Sequence, residues 1–232
     1  MNENTIKVWD PLVRIFHWSL VGAFGLAFVT AEEFESLHVR VGYFILGLVA
    51  FRLVWGVIGT RNARFTTFVK SPGAALAYVM DLVRLKARHY VGHNPAAGLM
   101  IVALLVALVV TSVTGLMTLG GEEAQGPLAP WMANFGGWGG EVAEEVHEVA
   151  AFGTLLLAGL HVVGVLASSL VHGENLIRAM VTGKKPAPPT APSPFPAAAF
   201  GGRRTVGAEP VPHTAHGTAA VSNGSRRATG VR

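Results

Sequence analysis

Four stretches of the chain read as near-continuous apolar runs, separated by segments rich in glycine, proline or charge. They run roughly from Pro11 to Ala31, Leu37 to Ile58, Ala96 to Leu119 and Glu141 to Val171. A helix needs about 20 residues to cross about 30 Å of hydrocarbon, and each run is long enough, the last extending beyond its apolar core at both ends. Backbone polar groups in lipid must be satisfied within their own helix, so the pattern predicts an all-α, integral membrane four-helix bundle. The first run carries Val29-Thr30-Ala31, an acceptable small-residue site for signal cleavage. Its length, the preceding Glu3 and Asp10, and the interruption Ile15-Phe16-His17-Trp18 favour a retained span instead.

One shorter pattern lies between the second and third spans. Ser71 suits an N-cap and Pro72 a first-turn position, followed by Leu76, Val79, Met80 and Val83 at helical spacing. With Arg84, Lys86 and Arg88 nearby, this helix either lies among lipid headgroups or packs beneath the bundle. Beyond Gly183 the sequence turns to Pro, Ala, Gly, Ser and Thr, with scattered arginines and almost no aliphatic pattern. Residues 1–183 therefore read as the membrane domain and 184–232 as a disordered tail. His213 and His216 fall in that tail, where no binding role is expected.

Charge orients the bundle. The loop from Gly59 to Pro95 carries Arg61, Arg64, Lys70, Arg84, Lys86 and Arg88, whereas Glu32 to Ser36 and Gly120 to Gly140 contain no Lys or Arg. Lys and Arg accumulate on the cytoplasmic side, so both termini are expected in the cytoplasm of a bacterium, with a multi-pass protein in its inner membrane. The acidic loops, with Glu32, Glu33, Glu35, Glu122 and Glu123, then face the periplasm or exterior. Apolar residues make up 51% of the chain and charged residues 14%, against about 25% charged in an average soluble domain. The net charge of +4 sits in membrane-flanking loops and the tail rather than on one folded face, which argues against nucleic acid as a partner.

Histidine carries the candidate chemistry. Cysteine is absent, which excludes structural disulfides, cysteine-held iron-sulfur clusters, thiolate zinc sites and C-x-x-C-H haem attachment. Ionisable side chains at bilayer depth are costly, yet His17, His38, His147 and His161 all fall within the spans. A single such histidine is often a polar contact between helices, but four at matched depths call for more. His147 and His161 are fourteen residues apart, about 21 Å of rise and about 40° short of four turns, so one helix can present a ligand near each membrane face. By depth, His17 pairs with His161 in the cytoplasmic half and His38 with His147 in the periplasmic half. Two facing imidazole pairs stacked across a bilayer fit two bis-histidine haem b groups in a helical bundle, the four histidines ligating iron.

Arg52 follows His38 by the same fourteen residues, at the depth of the cytoplasmic pair. Buried there it needs an anion such as a haem propionate; the alternative is snorkelling to the headgroups. Gly42, Gly47, Gly153, Gly159 and Gly164 allow close approach of a porphyrin or of a neighbouring helix. His89, His93 and His172 lie in the loop or at the end of the fourth span, where surface or capping roles are expected. A quinone or proton-transfer role is the alternative for His93 and His172.

The residues also carry a resemblance. Val8-Trp9-Asp10-Pro11-Leu12-Val13-Arg14-Ile15-Phe16-His17-Trp18 resembles the start of bacterial cytochrome b561 proteins, especially the branch formed by the b-type cytochrome subunit of nickel-iron hydrogenase. The likeness continues through Leu37-His38-Val39-Arg40-Val41-Gly42-Tyr43, Arg52-Leu53-Val54-Trp55-Gly56, Gly92-His93-Asn94-Pro95, Val146-His147-Glu148 and Gly159-Leu160-His161. It closes on His172-Gly173-Glu174-Asn175-Leu176-Ile177-Arg178-Ala179-Met180, covering about residues 8–185. The resemblance implies a diheme electron-transfer protein of a respiratory chain, with Arg52 matching an arginine common in the family. Electrons are then expected to pass between the quinone pool and a periplasmic or complex-bound partner, such as a c-type cytochrome or a hydrogenase or dehydrogenase subunit. A membrane anchor subunit, a standalone haem-based quinone reductase, and a non-redox transport or scaffold protein remain as alternatives.

Overall fold

Two of the four long helices, and two shorter ones, begin where the sequence places a polar cap. The computed structural model describes residues 5–90 and 92–186. Strand β1, Thr5–Lys7, leads into α1, Pro11–Thr30, α2, Glu35–Ile58, and the single turn α3, Phe65–Phe68. Then come α4, Pro72–Val83, α5, Pro95–Gly121, and the turn α6, Ala129–Met132, which continues as a 3-10 turn over Ala133–Phe135. The chain closes with α7, Gly137–His172, α8, Leu176–Thr182, and β2, Lys184–Pro186. Asp10, Ser71, Asn94 and Asn175 cap α1, α4, α5 and α8, their side-chain oxygens accepting from Val13, Ala74, Ala97 and Arg178 N–H groups at 2.9, 3.3, 2.8 and 2.7 Å. Each satisfies a donor that the first helical turn leaves without an internal partner.

The helices α1, α2, α5 and α7 are long and apolar enough to cross a membrane. At 1.5 Å per residue the 36-residue α7 is about 54 Å long, so it projects beyond a bilayer. Phe16 and Ala23 of α1, Val41, Ile45 and Val49 of α2, and Leu105 and Leu108 of α5 form the interior cluster. Two antiparallel pairs build the bundle: α1 packs on α2, α5 packs on α7, and α2 with α5 joins the pairs. The outer faces remain apolar, with Val149, Leu156, Val163 and Leu170 of α7 all exposed. Such surface is stable against lipid rather than water.

One end of the bundle is basic and carries β1, β2, α3 and α4; the other is acidic and carries the α1–α2 turn and α6. At the basic end β1 and β2 pair antiparallel, Ile6 opposite Lys185. Gly183 follows α8 at φ 79°, a left-handed conformation that favours glycine, and its carbonyl accepts from Val8 and Trp9 N–H at 2.8 and 3.2 Å. The order therefore extends past the expected boundary at Gly183. Lys184–Pro186 are held as a strand because the start of the membrane domain offers an edge to pair with; the rest of the expected tail, with His213 and His216, lies outside the described residues.

The α4 helix packs beneath the bundle, the second of the two arrangements expected of it. Ala75 and Tyr78 are buried toward α5 and α7, while Leu76, Val79, Met80 and Val83 face outward. The small and aromatic positions pack beneath the bundle, leaving the aliphatic stripe for the lipid boundary.

Candidate functional site

Helix α7 supplies one member of each histidine pair. His161 meets His17 of α1 with ring centroids 6.5 Å apart and planes at 57°, and His147 meets His38 of α2 at 6.1 Å and 86°. His38 lies in the first turn of α2, but His147 is nearly three turns into α7, because that helix begins at Gly137, ahead of the expected Glu141. Between the two pairs stand Phe24, Phe28 and Phe152, with Phe28 edge-on to Phe152 at 5.9 Å.

The pair nearer the acidic end is oriented through its Nδ1 atoms. His38 Nδ1 lies 2.9 Å from the Ala27 carbonyl oxygen of α1, and His147 Nδ1 lies 2.8 Å from the Thr111 carbonyl oxygen of α5. Carbonyls only accept, so each Nδ1 carries the proton and each Nε2 keeps its lone pair. Thr114 Oγ1 is 3.3 Å from the same His147 nitrogen. The ring fits because position 115 is glycine: a Cβ there would lie 2.9 Å from His147 Cε1 and 3.1 Å from Nδ1.

Other glycines stand beside open space. A Cβ added at Gly42 or Gly47 of α2, or at Gly153, Gly159 or Gly164 of α7, would meet nothing within 4 Å, and the same holds for Gly22 and Gly25 of α1. Contact with a neighbouring helix is therefore not what these glycines provide.

At the basic end Arg52 is 3% exposed, its guanidinium under Phe65 and Phe68 of α3 at 4.8 and 5.9 Å from the ring centroids. It does not snorkel to the surface. Its Nη1 is buried without a hydrogen-bond partner among the described residues, as are Arg14 Nε and His17 Nδ1. His93 is not a surface residue either: it sits between Trp9 and Phe68, its ring tilted to both with centroids 4.5 Å apart. Burial, then the cations of Arg52 and Lys185, pushes its pKa down to about 3, so the imidazole is neutral at physiological pH. It lines a cavity of about 710 Å3 together with Trp9, Asp10, Thr60, Asn62 and Phe68.

The family model for prokaryotic cytochrome b561 matches residues 8–183. The chain belongs to the prokaryotic cytochrome b561 family. No curated protein and no solved structure matches it. Cytochromes b561 are membrane proteins that bind haem b and carry electrons, and the matched span runs from the end of β1 through α8, taking in both histidine pairs. Sequence reasoning missed several residues of this cytochrome b561 that meet the paired histidines, the Ala27 carbonyl, Thr111, Thr114 and Gly115, and also Arg14, which like Arg52 has a buried donor unpaired among the described residues. Thr111-Ser112-Val113-Thr114-Gly115 is the polar, small stretch of an otherwise aliphatic α5, and that break was the available signal.

Proposed function

We propose that this cytochrome b561 carries electrons across the bilayer through two bis-histidine b-type haems, held by His17 with His161 and by His38 with His147. The paired rings carry the proposal. A metal bonded to one imidazole nitrogen on each side at about 2.0–2.1 Å leaves the two ring centroids about 6 Å apart, and the observed separations are 6.5 and 6.1 Å. The open space beside the glycines of α1, α2 and α7 suits a flat macrocycle. When bound between the paired histidines, the haem irons would supply one-electron redox chemistry.

The protein's own residues hold and tune that chemistry. Donation from His38 and His147 Nδ1 to backbone carbonyls fixes the rings and raises the basicity of the ligating nitrogens. Arg52 Nη1 and Arg14 Nε, otherwise unpaired donors, suit the propionates of the haem at the basic end. Phe24, Phe28 and Phe152 keep water from the space between the two sites. We assign the basic end to the cytoplasm of a bacterial inner membrane, with both termini there, because Lys and Arg collect on that side. The acidic end meets a periplasmic redox partner, a c-type cytochrome or a hydrogenase or dehydrogenase subunit. Quinone exchanges electrons at the basic end, where the cavity at His93 offers aromatic walls and a neutral imidazole.

A pyridine haemochrome assay on the purified protein is expected to return two haem b per chain. In a redox titration, His17→Ala and His161→Ala should each remove one component, and His38→Ala and His147→Ala should each remove the other. One haem per chain, or loss of different components within a pair, would overturn the assignment.

A further inference from the structure

A second set of titratable side chains at the basic end takes no part in holding the paired histidines. The Tyr78 hydroxyl of α4 lies 3.2 Å from Nε2 of His172, the last residue of α7. The His172 and His89 rings meet edge to face, centroids 5.6 Å apart. His89 Nε2 is 2.6 Å from Glu174 Oε1, and the other Glu174 oxygen accepts from Lys185 Nζ at 3.0 Å. Four separate segments of chain thus bring their polar atoms to one place.

The arrangement is graded from water inward. The His89 side chain is 39% exposed, whereas Tyr78 is 6% exposed. Lys185 is equally enclosed at 5%, a position set by its pairing with Ile6 across β1 and β2. A buried ammonium is tolerable only when paired, and Glu174 provides the charge. Burial works to raise the Glu174 carboxyl, but Lys185 and His89 outweigh it and hold the pKa below the usual range. Burial raises the Tyr78 pKa against the opposing pull of Ser168 and Asn94, and Tyr90 packs edge-on to its ring at 5.7 Å. The inner end of the set therefore stays a neutral hydroxyl, able both to donate and to accept. Ser168 is seven residues from His161, almost two full turns and about 10 Å along α7. Asn94 adjoins His93 and its cavity.

We propose that Glu174, His89, His172 and Tyr78 form a proton-exchange chain between water at the basic end and a quinone bound below the His17/His161 pair. The inference rests on the quinone reading given above. Reduction of a quinone to its quinol consumes two electrons and two protons; the electrons arrive by the electron-transfer path and the protons from water through this chain, and oxidation of quinol runs both in reverse. Each imidazole has one nitrogen engaged, His89 by Glu174 and His172 by Tyr78, and the other without a partner among the described residues, so a proton taken up on one nitrogen leaves from the other. A water shared by the two rings carries the step between them. Lys185 keeps Glu174 ionised.

The full-length haem-loaded protein tests this by stopped flow, with a short-chain ubiquinol as one reductant and dithionite as the other. In His172→Gln, His89→Ala and Glu174→Gln, quinol-driven haem reduction should slow by on the order of a hundredfold with little change in KM, the solvent deuterium isotope effect should rise, and added imidazole should restore the exposed His89→Ala. Haem content and the dithionite reaction should be unchanged. If His172→Gln loses haem, His89→Ala carries the test. Variants that match the parent with quinol, or that slow equally with both reductants and are not rescued by imidazole, would reduce the cluster to a structural latch and overturn the proposal. A parent protein that dithionite reduces and quinol does not would overturn the quinone reading and this proposal with it.

Discussion

Asp10 shows how closely a single carboxylate ties the start of the membrane domain to the loop beyond α2. One oxygen caps α1, and the other accepts from the Thr60 hydroxyl and, at 3.4 Å, from the Trp55 indole. Burial works to raise its pKa, but these donors prevail and hold it below the usual carboxylate value. Since the folded-state pKa is depressed, its stabilisation is complete above about pH 4, the unfolded value, and is lost as pH falls through the lowered one. Asp10→Ala should cost about 1 kcal/mol at neutral pH through loss of the cap, and should flatten the acid limb of the melting temperature against pH. Asp10→Asn should keep most of the cap and flatten the same limb. Melting curves in detergent check both; a variant whose acid limb runs parallel to that of the parent would show that the carboxylate does not contribute it. The start of α1 at Pro11 was legible in the apolar pattern, whereas the cap from Asp10 went unread although its chemistry acts within one turn. The bonds to Trp55 and Thr60 were not legible, because they depend on where α2 ends in space.

The same divide holds for whole elements. Apolar length placed the spans to within a few residues, Leu37 to Ile58 against Glu35–Ile58 and Ala96 to Leu119 against Pro95–Gly121, since lipid thickness and polar caps leave little freedom. Depth likewise placed His17 with His161 and His38 with His147, because rise per residue is fixed. Rotation about the helix axis was not legible. An evenly apolar α5 gives no periodicity to show which stripe faces α7, so the seat of His147 at Thr111, Thr114 and Gly115 escaped notice. The outward stripe of α4 and the β1–β2 pairing depended on tertiary partners in the same way. If two haems are held as proposed, Gly115→Ala should displace the His147 ring and weaken the one at the acidic end while sparing the other. In a redox titration one component should fall well below half its amplitude and the second should stay; equal loss of both would point to general unfolding instead.

Across the whole molecule the two ends carry opposite charge. Glu32, Glu33, Glu35, Glu122, Glu123, Glu141, Glu144, Glu145 and Glu148 are all exposed at the acidic end, near the His38/His147 pair. A field of that sign steers a basic redox protein and raises its association rate more than its affinity. Electron transfer to a basic cytochrome c, followed by stopped flow, should slow as salt rises toward physiological strength, where screening limits interactions to about 8 Å. Replacing these glutamates by glutamines should remove the salt dependence and lower the low-salt rate by about tenfold or more. A rate that is flat or rising with salt would exclude such docking. The division of the bundle into an α1–α2 hairpin and an α5–α7 hairpin bears on biosynthesis as well. Each imidazole pair takes one ring from each hairpin, and α7, the last of the four spans to leave the ribosome, supplies the second ring of both. A nascent chain that ends before α7 contains neither pair, however well its first three spans have inserted. Both sites are therefore completed by one late event, the arrival of a single helix, rather than in turn along the growing chain.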